Sequence, residues 1–145
     1  MKIFFKLALM LFLISGKSCF GQKMVQSTED AKKLEVYKEK FIGEPLSVLL
    51  KEVQPKIKLV YGNPENSWGG AIGGTYLKFH FADRDEIGKK LKKKQKPTGI
   101  IVNFKLNPKN AHKPLPKGGV KEWTEQETKE YGDMIIANIR VVEET

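Results

Sequence analysis

The feature that most constrains this chain is a change of hydrophobic period at Pro55. Before it, apolar residues recur every three or four positions; after it they alternate. Ile57, Leu59 and Tyr61 alternate with Lys56, Lys58 and Val60, and Leu77, Phe79 and Phe81 alternate with Tyr76, Lys78 and His80. Ile100, Val102, Phe104 and Leu106 repeat the plan against Ile101, Asn103 and Lys105. Successive side chains of a strand point to opposite faces, so each run predicts a strand with one buried side. Met134 to Val142 is apolar enough to close the chain as a fourth.

A sheet with one greasy face needs a helical cover, and the first third of the chain supplies it. Ser27-Thr28-Glu29-Asp30 reads as a helix start, with Ala31, Leu34, Tyr37 and Phe41 at helical spacing and Gly43 as the stop, which predicts a helix over 28–41. Pro45 opens a second, short helix carrying Leu46, Leu49, Leu50 and Val53 on one face. Thr124-Glu125-Gln126-Glu127 has the form of a capping box, Trp123 stands where a hydrophobic staple would, and Gly132 ends the short helix it starts. Asn107 to Val120 holds three prolines and two glycines and predicts an extended connection. The expected fold is α+β: a four-stranded, mainly antiparallel sheet with two N-terminal helices and one short C-terminal helix on one face. At 145 residues there is room for one domain and no second.

Residues 1–21 read as an export signal: Lys2 and Lys6, the apolar stretch Leu7 to Ser15, then Cys19-Phe20-Gly21 before a cut. Those nine residues span about 14 Å as a helix against a hydrocarbon core of about 30 Å, so no transmembrane anchor is expected. Gly16-Lys17-Ser18 places a charge where a lipobox wants small apolar residues, which argues against acylation at Cys19. Cleavage after Gly21 leaves a single domain over 22–145, removes the one cysteine, and lowers the net charge from +9 to +6 with the loss of Lys2, Lys6 and Lys17. A chain without cysteine has no thiol nucleophile, disulfide, iron–sulfur cluster or cysteine-bound zinc. The expected location is periplasmic or secreted.

With the larger apolar sets facing the helices, the opposite side of the sheet carries Lys56, Lys58, Val60, Tyr76, Lys78, His80, Ile101, Asn103, Lys105, Asn138 and Arg140, with no acid. Lys58, Tyr76, Lys78, His80, Asn103, Lys105 and Arg140 are thus candidate ligand-binding residues on a basic, amide-bearing platform suited to an anionic partner. Trp68, in the glycine-rich loop from Gly62 to Gly74, is an eighth candidate, as a stacking surface among Asn63, Asn66 and Ser67. That loop matches neither the Walker nor the dinucleotide fingerprint. Lys89, Lys90, Lys92, Lys93, Lys94 and Lys96 equal the whole excess charge of the exported form. Asp83, Asp85 and Glu86 precede them, which predicts a charge-polarised helix starting near residue 84. Such a run fits solvated surface or peripheral electrostatic contact with a membrane. Only Arg84 and Arg140 are arginines, which disfavours specific nucleic-acid reading.

His80 and His112 are 32 residues apart without a metal-ligand spacing, so no metal and no cofactor is expected. No catalytic set is assigned. His80 with Asp83, Asp85 and Glu86 is the grouping an exported hydrolase would use. The Ser-Cys-Phe-Gly-Gln ending of the signal resembles those of exported Bacteroidetes proteins, and the whole chain resembles uncharacterised small members of that group. Gly43-Glu44-Pro45 between two helices, then Val60-Tyr61-Gly62-Asn63-Pro64 and an aromatic strand, is similar to the small periplasmic lipoproteins of the outer-membrane protein assembly machinery. That likeness covers about half of the exported form; the poor lipobox, the extra helix and the terminal strand depart from it, so no functional residue is carried over from it. The expectation is a non-enzymatic exported binding module for an anionic envelope component or a protein, with the hydrolase as the alternative.

Overall fold

The computed structural model describes residues 21–63, 76–105 and 120–143. In chain order the elements are α1 (Lys32–Val36) between single 3-10 turns at Glu29–Ala31 and Lys38–Lys40, α2 (Leu46–Lys51), β1 (Leu59–Asn63), β2 (Tyr76–His80), α3 (Arg84–Lys92), β3 (Thr98–Phe104), β4 (Lys121–Glu122), α4 (Glu125–Tyr131) and β5 (Ile136–Glu143). The strands form one open sheet in the order β4-β1-β2-β3-β5, with every pairing antiparallel. The fold is therefore α+β, as the periodicities imply.

The buried layer is one cluster. From the sheet come Val60, Leu77, Phe79, Ile100, Val102, Phe104 and Ile139; from the helices and their flanks, Ala31, Leu34, Phe41, Leu46, Leu49, Trp123 and Tyr131. Trp123 meets the Phe79 ring edge-on at 4.9 Å between centroids and stacks on Tyr131 at 6.1 Å. It cannot act as a staple, because the facing position one turn into α4 is the polar Thr128. Thr124 and Glu127 do form the expected capping box, and Asp83 with Glu86 forms a second at the start of α3. Gly132 follows α4 with an ordinary φ of −61°; what demands glycine is that a Cβ would collide with the carbonyl oxygen of Thr128. Its own carbonyl accepts the Ser47 amide at 2.8 Å and so ties the end of α4 to α2.

Three expectations need correction. The sheet has five strands, not four: β4 is two residues long, too short to show a period, yet it pairs with Leu59 and Val60 and forms one edge. The helix expected over 28–41 holds α-geometry only at Lys32–Val36. Only Ala31, Leu34 and Phe41 along it are buried, and a helix of this length draws its stability from packing. Tyr37 leaves the helix at φ −105°, ψ 23°, its ring half-exposed with the Lys40 ammonium 5.1 Å from its centroid.

The third correction reverses a strand. Val60 lies opposite Phe79 and faces the core, while Leu59 lies opposite His80 and Tyr61 opposite Lys78 on the other side. Ile57 still reaches the core, because residues 57 and 58 precede the regular strand: the Lys58 amide donates to His80 O at 2.8 Å and its carbonyl accepts from the Trp123 amide at 2.9 Å. Ile57 and Val60 are thus three apart, and the phase of β1 flips between them.

Both sheet edges are managed. β4 is short and charged. Along β5, Glu35 of α1 accepts the Val141 amide at 3.1 Å, Lys38 donates to Asn138 Oδ1 at 3.3 Å and Lys32 pairs with Glu143 at 2.8 Å. Residues 43–45 bond Ile136 through the Gly43 amide at 2.9 Å and the Glu44 carbonyl at 2.9 Å. The first helix therefore caps an edge as well as covering a core. Among the described residues no helix is long and apolar enough to cross a membrane.

Candidate functional site

The side of the sheet away from the core that α1, α2 and α4 build is organised in rows that run across the strands. Tyr61, Lys78, Ile101 and Arg140 form the middle row; Tyr76, Asn103 and Asn138 form the row beside it; Glu122, Leu59, His80, Gly99 and Val142 form the third. Strands lie about 4.8 Å apart, so the Lys78 and Arg140 backbones, separated by Ile101, stand about 10 Å from each other. Four of the eight predicted ligand-binding residues, Tyr76, Lys78, Asn103 and Arg140, are gathered by these pairings on one half-exposed surface. Arg140 is its most exposed member.

His80 belongs to the same face but retains no exposed surface. Its ring stands edge-on to Tyr61 at 5.1 Å and lies over Gly99, where an added Cβ would approach His80 Cε1 to 3.3 Å and Lys78 Cε to 3.3 Å. Gly99 thus leaves room for the imidazole and the lysine stem. A partner resting on the sheet would not touch His80 directly.

Lys58 and Lys105 leave the platform. The Lys58 ammonium turns to the start of α3, 2.6 Å from Glu86 and 3.5 Å from Asp83. Those contacts raise its pKa through the Glu86 hydrogen bond first. A register shift between Asn103 and Phe104 precedes Lys105, whose ammonium ends beside Gly43 in the α1–α2 connection. Trp68 lies outside the described residues.

The acids nominated for hydrolysis have other duties. Asp83 Oδ1 accepts the Glu86 amide and Glu86 Oε2 accepts the Asp83 amide, each at 2.9 Å, and both carboxylates share Lys58. The Asp83 pKa is lowered chiefly by the Glu86 amide, that of Glu86 chiefly by Lys58. Among the described residues no group of His, Cys, Asp and Glu could hold a metal ion.

Two contributors escaped sequence reasoning. Tyr61 was assigned to the core by the alternation from Ile57, and the interruption at Lys58 gives no signal in composition. Lys38 comes from the 3-10 turn after α1 to the Asn138 amide across 100 residues of sequence, adding a cation at the β5 margin. Among the described residues the platform therefore presents Lys78 and Arg140 with two tyrosines and two amides, with Lys38 and Glu35 at its β5 margin and Glu122 at its far edge. Comparison with family models, with curated proteins and with solved structures finds no match.

Proposed function

We propose that this protein is a non-enzymatic, exported binding module that lays the side of its sheet opposite the core against an extended anionic partner, either an envelope polymer or an acidic protein segment. The observation carrying this reading is the row Tyr61-Lys78-Ile101-Arg140 beside Tyr76-Asn103-Asn138. Two cations about 10 Å apart, with an apolar side chain between them, suit charges repeated along a chain better than one small ion. Amides and tyrosine hydroxyls supply hydrogen bonds to hydroxyls or peptide groups between those charges. The export assignment rests on residues 1–21 of the sequence.

The test is capture from an envelope extract by immobilised protein at low and high salt. Binding should fall steeply between about 0.05 and 0.5 M salt, as screening shortens from over 10 Å to a few Å. Lys78→Gln with Arg140→Gln should reduce capture about thirtyfold, at about 1 kcal/mol for each charge lost. Capture unaffected by salt and by this pair would reject the reading. A hydrolytic reading has less support, since Asp83 and Glu86 are committed to capping and to Lys58.

A further inference from the structure

The excess positive charge of this chain is concentrated on α3 and the turn after it, in the connection between β2 and β3. Within that region a cavity of about 350 Å³ is lined by Thr28, Phe81, Ala82, Glu86, Lys89, Lys90, Lys93 and Gln95. Residues 86, 89, 90 and 93 follow an i, i+3, i+4, i+7 spacing, so they form one stripe down the helix. Lys94 adopts a left-handed φ of 56°, and the Gln95 amide returns to Lys90 O at 2.9 Å, which brings Gln95 back to the wall. Phe81 and Ala82 are buried and supply an apolar floor.

We propose that this cavity is an anion site that takes a phosphomonoester or diphosphate group, held by Lys89, Lys90 and Lys93 with Gln95 as a neutral donor; the Thr28 hydroxyl in the wall is already given to Glu29 at 3.1 Å. The charge count favours it. Glu86, the one acid in the lining, already accepts from Lys58 at 2.6 Å and from the Asp83 amide at 2.9 Å. No described acid forms an ion pair with any of the three lysines, whereas Lys32, Lys33, Lys58 and Lys121 each have one. Glu29 is close enough for Lys90 to contribute to its lowered pKa, but only behind its own backbone and the Ser27 and Thr28 hydroxyls. Three like charges on adjacent turns repel one another, and a multiply charged oxyanion relieves that repulsion in a way a single carboxylate cannot.

The macrodipole alone would also favour lysines at the end of α3, so the test must separate the two accounts. Two double variants remove the same charge from the same segment: Lys89→Gln/Lys93→Gln inside the cavity, and Lys92→Gln/Lys96→Gln outside its lining. Inorganic pyrophosphate is the probe, read by calorimetric titration and by the shift of the melting midpoint. The parent protein and the outer pair should bind it with dissociation constants within about twofold, and the inner pair about tenfold or more weaker. Pelleting with phosphatidic-acid and phosphatidylcholine vesicles distinguishes the source of the group. Retention on the former that pyrophosphate competes away assigns a lipid headgroup; pyrophosphate binding without retention assigns a soluble ligand. Either supports the site. No pyrophosphate response in the parent, or equal loss in both doubles, overturns it.

Discussion

Glu127→Gln tests the link between β4 and α4. The Glu127 side chain is 4% exposed; Lys121 Nζ lies 2.5 Å from Oε1, and Oε2 accepts the Thr124 amide at 3.0 Å and also the Thr124 hydroxyl. The Lys121 bond first, and Thr124 second, hold its carboxyl down at about 2, against the ordinary 4.5. Because the folded-state value lies below the unfolded one, this stabilisation is fully present above about pH 4.5 and drains away as the pH falls toward 2. A depression of that size corresponds to about 3 kcal/mol at most. Lys121 is half exposed, and solvent screening reduces the figure to about 2 kcal/mol. Glutamine keeps the shape and one acceptor but loses the charge. Urea unfolding at pH 7 should show a loss of about 2 kcal/mol, with a melting midpoint lower by about 8 °C. Repeated at lower pH, the gap between parent and variant should close as pH 2 is approached. A loss under about 0.5 kcal/mol, or a gap independent of pH, would refute the reasoning.

Three further substitutions probe the scaffold. Gly132→Ala places a methyl against Thr128 O and should cost about 2 kcal/mol or more by chemical denaturation, the reverse of the usual gain from alanine. Gly99→Val crowds His80, which has no exposed surface into which to move, and should cost about 1–3 kcal/mol and shift the His80 imidazole resonances; unshifted resonances would contradict the packing. Glu35→Ala removes the acceptor of the Val141 amide, so hydrogen exchange at Val141 should accelerate while the Leu77 and Val102 amides in the middle of the sheet stay protected.

What the sequence made legible were features carried by local pattern. β2 and β3 alternate without interruption, and their core faces are as read. The capping box at Thr124–Glu127 is a four-residue signal and forms where expected, and the helix expected to start near residue 84 does start at Arg84, with a capping box of its own. What it hid depends on partners distant in sequence. β4 exists because Leu59 and Val60 have an open edge, not because two residues prefer to be extended. α1 stays short because only Ala31, Leu34 and Phe41 find the core, and its charged flank is spent on the β5 edge instead. Lys58 was placed by alternation, but its ammonium is directed by two carboxylates 25 and 28 residues away.

The reversal of β1 also decides which part of the platform is available. Had Leu59 and Tyr61 faced the core, the outer side of β1 would have been Lys58 and Val60, and the surface would have been evenly basic. Instead Leu59 and His80 make one end of that side apolar and closed, with 5% and 0% of their surfaces exposed and Tyr61 against the imidazole. Along the middle row Tyr61, Lys78 and Ile101 are half-buried while Arg140 is exposed, and the amides of Asn103 and Asn138 lie on the same flank. The half of the sheet built by β3 and β5 is therefore where an anionic partner meets least desolvation cost and most positive field. Loss of binding should accordingly be greater for Arg140→Gln than for Tyr61→Ala, and the opposite order would place the contact at the closed end.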